Sequence, residues 1–294
     1  MSFRVCNTNN LYGWLLALPA FVLLGVFTYY PTVATFINSL YSNETIIRPK
    51  HFVGLDNYRF LINDPIFLTT LKNTAIFAFG TVPISIALSL IMALLVYSKI
   101  PARGLVRLSY FTPTILPMVA AANIWLFFYS PQIGLINKVI EYFGFNGVNW
   151  LGNSHTVLAS LMVMTIWKEA GFFMIFYLAA LQSLPKELLE AAKIEGATKW
   201  QSFWKVTFPL ITPTTFFIMI NALLNAFKLV DHLFILTKGG PDNASNLLLY
   251  YIYEVAFSFF DFAYASTLTV VLISMLVVLS LLYFTIIEKK VHYK

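Results

Sequence analysis

Charge is what this chain has least of. Asp, Glu, Lys and Arg together make up 11% of its 294 residues, against about 25% in an average soluble protein, too little to cover a folded surface of this size with water-facing groups. Hydrophobic residues reach 59%, aromatics 17% and mean hydropathy +0.75, so disorder, collagen and coiled coil are excluded too and most of the surface must face lipid. Cysteine is nearly missing: the lone Cys6 permits no internal disulfide. The single cysteine and four histidines form no CxxC or HExxH spacing, so no metal and no cofactor is expected. The GxxxxGK[ST] phosphate loop is absent, as are a GxSxG elbow and a nucleophile–base pair, which excludes ATP binding in that manner and points away from catalysis. The 19 Lys and Arg give a net charge of +6 and a pI near 9.2. They lie in short blocks between apolar runs rather than on one basic face, so nucleic acid is not an expected partner.

What is present is a series of long apolar runs. A membrane-spanning helix needs about 20 such residues, and six stretches qualify: Leu11 to Tyr30, Asn73 to Tyr97, Leu108 to Tyr129, Thr156 to Leu181, Leu210 to Val230 and Ala263 to Ile287. The first continues a charge-free run from Val5 to Asn43 without a small-x-small cleavage site and reads as a retained helix rather than a signal peptide. With the N-terminus inside, one side receives eleven basic residues (Arg4, Lys99, Arg103, Arg107, Lys186, Lys193, Lys199, Lys205, Lys289, Lys290, Lys294) and the other six (Arg48, Lys50, Arg59, Lys72, Lys138, Lys238). Most acids, among them Glu44, Asp56, Asp64, Glu141, Asp231, Asp242, Glu254 and Asp261, fall on that second side. The positive-inside rule therefore predicts an all-α membrane protein of six helices with both termini in the cytoplasm. The outer segments from Asn43 to Lys72 and from Asp231 to Phe262 read as structured, and Gly134 to Asn137 opens a short amphipathic stretch ending near Phe143. Such segments suit an external partner. No internal repeat or soluble domain interrupts residues 1–294, which read as one membrane domain.

The segment 183–209 between the fourth and fifth spans reads as two short helices at an angle. Pro185 suits a first helical turn, and Leu188, Leu189 and Ala192 make one apolar face. Gly196 supplies the break. Thr198 with Gln201 forms a capping box for a second helix carrying Trp200, Phe203, Trp204 and Thr207 on one face, with Pro209 ending it and Pro213 opening the next span. On physical grounds alone, an amphipathic hairpin that merely rests on the inner leaflet, with the tryptophans as belt residues, stands as one reading.

The residues here also carry a likeness. Glu190-Ala191-Ala192, Gly196, and then Val206 with Phe208-Pro209 resemble the EAA motif of permease subunits of bacterial ATP-binding-cassette importers. Glu195 stands where the sugar branch usually has Asp, and Phe208 where Leu is usual. The resemblance extends over nearly the whole chain to carbohydrate permeases of the maltose and glycerol-3-phosphate type: Phe52-Val-Gly-Leu-Asp-Asn-Tyr58, Pro131-Gln-Ile-Gly-Leu-Ile-Asn137 and Leu236-Thr-Lys-Gly-Gly-Pro241 are similar to that family's three outer loops. The ending Ile287-Glu-Lys-Lys-Val-His-Tyr293 is most similar to that of the glycerol-3-phosphate permease A subunit. The resemblance implies a non-catalytic subunit of an importer for a carbohydrate or sn-glycerol-3-phosphate-like solute in a bacterial or archaeal inner membrane. It also implies four kinds of partner: a second homologous permease, two cytoplasmic ATPase subunits, an extracytoplasmic solute-binding protein and a small polar solute. In this reading 183–209 forms the coupling helices, with Glu190 as charged contact, Ala191 and Ala192 as small residues permitting close approach, Gly196 as the bend, and Glu195 and Trp200 in the same docking element.

Ionisable groups at membrane depth are costly and mark functional sites by default. Lys168 and Glu169, in the fourth span, lie about 100° apart on a helix and cannot squarely face each other; helix packing and substrate contact both stand as readings. In the fifth span Asn221, Asn225, Lys228 and His232 follow i, i+4, i+7 and i+11, one polar stripe facing the bundle interior. Amides suit hydroxyls and the two basic groups an anion, so the stripe could line a translocation path. A hydrogen-bond ladder to a second permease or a snorkelling Lys228 would leave the same pattern. Asn123, beside Trp125, reads as helix packing. Pro83, Pro113 and Pro117 should bend or unwind their helices. A secondary transporter driven by an ion gradient is the competing function, but it needs coupling carboxylates inside the spans, and Glu169 alone supplies few. A lipid-processing enzyme would need catalytic groups clustered at one interface.

Overall fold

The computed structural model describes residues 5–44, 49–98 and 101–287. Arg4, Arg48, Lys99, Lys289, Lys290 and Lys294, on which part of the orientation rests, lie outside them, as do the side chain of Cys6 and the chain ending after Ile287. Every regular element among the described residues is helical. In chain order they are α1 (Val5–Leu24), α2 (Tyr30–Asn38), α3 (Asp56–Asn63), α4 (Pro65–Tyr97), α5 (Arg103–Ile115), α6 (Met118–Phe128), α7 (Leu135–Tyr142) and α8 (Val157–Gln182). There follow α9 (Lys186–Ile194), α10 (Lys199–Ser202), α11 (Phe208–Leu210), α12 (Thr212–Lys228), α13 (Asp231–Leu236), α14 (Leu248–Tyr253) and α15 (Phe262–Ile287). Five helical runs are long and apolar enough to cross a bilayer, and α5 with α6 makes a sixth if that pair, bent by 103°, is one span. The fold is an all-α membrane protein.

Two compact units can be distinguished, one of residues 1–63 with 252–273, the other of 64–251 with 274–294. In the first, the opening span outruns its predicted end at Tyr30 and continues to Asn38. Pro31 would break a regular helix by removing one amide donor. A π-turn at Gly25–Tyr29, closed by the Tyr30 N–H on the Gly25 carbonyl, lets the helix continue with Pro31 in the first turn of α2. Beyond it, the Asn57 amide donates to the carbonyls of Ser39 and Tyr41, both at 2.9 Å, which folds the first outer segment back on α3. The run Tyr12–Asn38 has none of its most apolar window buried within the chain.

The second unit is organised by α4 and α8. α4 starts at Pro65, earlier than the predicted Asn73, because Asp64 caps it: its Oδ1 accepts the Ile66 N–H at 2.9 Å. The helix then runs unbroken through Pro83 to Tyr97. Its buried Thr70, Thr74, Thr81 and Ser89 hydroxyls donate to carbonyls three or four residues back on the same helix. Ser160 and Thr165 on α8 do likewise. Small hydroxyls can thus be buried in an apolar core because their own helices satisfy them. Against α5 the fit is tighter still, since a Cβ at Gly171 would lie 2.2 Å from the Tyr110 carbonyl oxygen.

The third outer segment is bound to α4 through polar groups. Asn73 Nδ2 donates to the carbonyls of Asn243 (2.8 Å) and Asn246 (3.1 Å), the Leu248 N–H reaches Thr74 Oγ1 at 2.9 Å, and Tyr251 Oη donates to Asp64 Oδ2 at 2.7 Å. A conserved-volume change at Asn73 therefore removes two clasps at once. Asn73→Leu is expected to leave the spans inserted but to free segment 237–247, at a local cost of about 1–3 kcal/mol; hydrogen exchange of that segment should accelerate at least several-fold while α8 stays protected.

Candidate functional site

The hairpin of α9 and α10 is built as its sequence suggests, with more bracing than the residues alone reveal. Pro185 stands immediately before α9 with extended ψ, one position earlier than the predicted first turn. At the far end Gly196 adopts φ +80°, the left-handed conformation that costs an L-residue about 1–2 kcal/mol. Around it the Ala197 N–H bonds the Ala192 carbonyl and the Gly196 N–H the Lys193 carbonyl, both at 3.0 Å, the paired bonds of a Schellman motif. Two residues later the capping box forms: the Thr198 N–H donates to Gln201 Oε1 at 2.9 Å, and the Gln201 N–H to Thr198 Oγ1 at 3.3 Å. Helix end and helix start meet with their free backbone groups occupied, so the elbow is stiff.

Pro209 does not end the second helix. A π-turn at Phe203–Thr207, closed by the Phe208 N–H on the Phe203 carbonyl, precedes it, and the helix continues as α11 to Leu210. The wider turn accommodates the proline, which cannot donate to the carbonyl four residues back. It also alters the predicted aromatic face: Trp204 packs edge-on to both Trp200 (5.6 Å) and Phe203 (5.1 Å) and against Phe208 at 5.0 Å.

Of the residues singled out in the hairpin, Glu190, Ala191, Glu195, Gly196 and Trp200 are exposed, Trp200 at 71%. Ala192 is buried. Its small side chain serves packing within the chain, so the close approach expected at both alanines is available from outside only at Ala191.

Lys168 and Glu169 turn to different neighbours, as their angular separation requires. Lys168 Nζ donates to the carbonyls of Pro113, at 3.0 Å, and Leu116. These oxygens sit at the break between α5 and α6, where Leu116 takes ψ 132° and Pro117 offers no N–H to close the turn. The ammonium thus occupies the end of α5, where helix carbonyls lack partners and a cation is electrostatically favoured. The third span is consequently two helices and not the single one that hydropathy outlines; the bend falls at Pro117, while Pro113 stays inside α5. Glu169 Oε1 accepts from Asn225 Nδ2 at 3.2 Å, joining α8 to α12. This lysine's partners lie 52 and 55 residues away, and only the signature of two prolines four apart hinted at an unsatisfied carbonyl.

The stripe predicted along the fifth span is interrupted. α12 ends at Lys228, Leu229 is extended, and α13 begins at Asp231, so helical register does not carry from Asn225 to His232. Asn221 donates to its own helix at Phe217 (2.7 Å), and Lys228 is exposed. His232 is fully buried, stacked on Phe77 at 6.0 Å, with neither ring nitrogen hydrogen-bonded. The anion pair of Lys228 and His232 is therefore not assembled on one face. Asn123 donates to Val119 on its own helix and is exposed. Among the described residues no cluster of His, Cys, Asp or Glu could hold a metal ion.

Residues 85–292 match the family model of the binding-protein-dependent transport system inner membrane component. The chain belongs to that family. It is a multi-pass inner-membrane permease subunit, a transport component and not an enzyme. Relatives at similar identity carry different solutes in their names. The chain is 32% identical to the sulfoquinovosyl glycerol transport system permease protein SmoG of Agrobacterium fabrum over 96% of its length and 92% of the relative's. It is 34% identical to the lactose transport system permease protein LacF of Rhizobium radiobacter over 92% of each. It is 29% identical to the sn-glycerol-3-phosphate transport system permease protein UgpA of A. fabrum over 97% of each. Among solved structures, a chain of the bacterial alginate ABC transporter in complex with alginate pentasaccharide-bound periplasmic protein superposes with a TM-score of 0.85 at 21% identity, covering 96% of both chains. The backbone of this permease is thus that of an importer membrane subunit.

Two substitutions test the site's construction. Lys168→Met should leave two carbonyls at the helix break without a donor and lower stability by about 2–3 kcal/mol, read as an earlier thermal transition of the detergent-solubilised chain, with Lys168→Arg partly restoring it. Gly196→Ala should cost about 1–2 kcal/mol locally and raise hydrogen exchange at residues 195–198 without altering insertion.

Proposed function

We propose that this chain is one of two homologous permease subunits of an ATP-driven importer for a carbohydrate or polyol-phosphate solute, and that residues 1–294 act as a single permease domain whose segment 183–209 couples it to a pair of cytoplasmic ATPase subunits. The observation that carries this reading is the braced hairpin presenting Glu190, Ala191, Glu195, Gly196 and Trp200 at its surface. An amphipathic hairpin lying on the leaflet would have no use for exposed glutamates flanking a stiff glycine elbow. A docking element needs that: a shape that keeps its angle when pushed, so that closure of the ATPase pair moves the attached spans as rigid bodies. ATP is hydrolysed in those partners, consistent with the missing phosphate loop.

The remaining partners follow from the same assembly. An extracytoplasmic binding protein delivers the solute to the outer segments, which Asn57 and Asn73 hold in defined positions. The unburied span Tyr12–Asn38 is covered by lipid and by the second permease. Both termini are cytoplasmic. Within the spans, Asn221, Asn225 and Glu169 are the polar groups we place along the path, where amide and carboxylate suit hydroxyl-rich solutes. Lys168 contributes indirectly, by holding the bent span beside them. Relatives named for lactose, sulfoquinovosyl glycerol and sn-glycerol-3-phosphate support the solute class and do not single out a member.

The test is purification of the tagged chain from its native membrane in mild detergent, with the co-purifying proteins identified by mass spectrometry and ATPase activity measured. An ATPase, a second permease and a binding protein should accompany the wild type, and Glu190→Arg should lower complex-dependent ATP hydrolysis by more than tenfold while insertion is unaffected. A chain without ATPase that still moves solute along an ion gradient would instead establish the secondary transporter.

A further inference from the structure

Behind the hairpin lies a cavity of about 430 Å³ that coupling to an ATPase does not require. Its floor is apolar, formed by Leu94 near the end of α4, Leu181 near the end of α8, Leu184 after it and Phe203 at the start of the π-turn. Among the described residues its only charged lining residues are Lys193 and Lys199. The hairpin also carries Glu187, Glu190 and Glu195, and none of them lines the cavity. Both lysines are exposed and have no ion-pair partner among the described residues. Lys199 is the first residue of α10, at the helix end where a cation is electrostatically disfavoured, so helix stability does not account for it.

We infer that this cavity is a binding site for an anionic phospholipid of the inner leaflet, its acyl chain on the leucine and phenylalanine floor and its phosphate between Lys193 and Lys199. Two features commit the site to lipid rather than to a soluble anion. Leu94 and Leu181 of the floor stand in the last turns of α4 and α8, two helices long and apolar enough to cross a bilayer, and the charge lining it among the described residues is cationic, matching the acidic headgroups of that leaflet. A water-soluble phosphate has no use for four apolar side chains beneath it. The lipid would wedge the hairpin against α4 and α8, so the leaflet's acidic lipid content would set how firmly the coupling element is seated. This inference uses the cytoplasmic placement of 183–209 proposed above, and its test does not need the ATPase.

The full chain is reconstituted into nanodiscs of phosphatidylcholine with a minority of phosphatidylglycerol, then extracted, and the lipids retained per chain are counted by native mass spectrometry. The wild type should retain phosphatidylglycerol over phosphatidylcholine, and Lys193→Gln with Lys199→Gln should reduce that preference by about tenfold. Lys186→Gln, in the same loop but outside the cavity, should keep it, and the Arg double variant should restore it. Excess soluble glycerol phosphate should not displace the lipid; displacement would reassign the pocket to a free anion and overturn the inference. So would unchanged retention in the Gln double variant, or equal loss with Lys186→Gln, which would mean diffuse attraction to the surface. Failure of wild type to co-purify with an ATPase would overturn the coupling reading and leave this result standing on its own.

Discussion

In a bilayer every backbone amide and carbonyl must find its partner inside the protein, and this constraint explains the places where the structure departs from straight helices. Four departures meet it in three ways. At Pro31 and Pro209 the chain keeps its helix by widening one turn to a π-turn. At Pro117 the helix gives way, and Lys168 crosses from α8 to occupy carbonyls at the break. After Lys228 the chain leaves the helix for two residues before α13 resumes. The charge of Lys168 is thus explained first by the backbone it serves.

What the sequence made legible was local. Pro185, Gly196 and the Thr198–Gln201 pair act within a few residues of themselves, and the hairpin they predict is the hairpin found. Hydropathy located the spans because each is decided by its own composition. The misplaced boundaries are instructive: the first span outran Tyr30 because a π-turn is invisible to a hydropathy window, and the second began at Pro65 because the cap from Asp64 outweighs the polarity of Asp64, Lys72 and Asn73. Long-range partnerships were not legible. Nothing in the periodicity announces that Lys168 bonds residues 52 and 55 positions away. Likewise an i, i+7, i+11 count assumes an unbroken helix, and the stop at Lys228 left His232 buried against Phe77 while Lys228 stayed exposed. The burial of Ala192 also required a tertiary neighbour that spacing cannot supply.

The two ends of the second unit are fastened in different ways. At one end, side-chain amides and hydroxyls of α4 hold backbone groups of the segment before and at α14. At the other, the hairpin secures its own shape through backbone bonds and one capping box. The first arrangement fixes a loop to a helix. The second fixes the angle between two helices and leaves Glu190, Ala191, Glu195 and Trp200 exposed.

The hydroxyls of α4 and α8 have a mechanical consequence. Thr70, Thr74, Thr81 and Ser89 on one helix, and Ser160 and Thr165 on the other, spend their protons on their own helices. Hydroxyls spent in this way carry little of the bonding between helices; α8 is tied to other elements instead through Lys168 on the Pro113 and Leu116 carbonyls and Glu169 on Asn225. Movement of α8 therefore carries the α5–α6 break and α12 along with it, since the bonds of Lys168 and Glu169, and not the hydroxyls, would have to rupture for α8 to move alone.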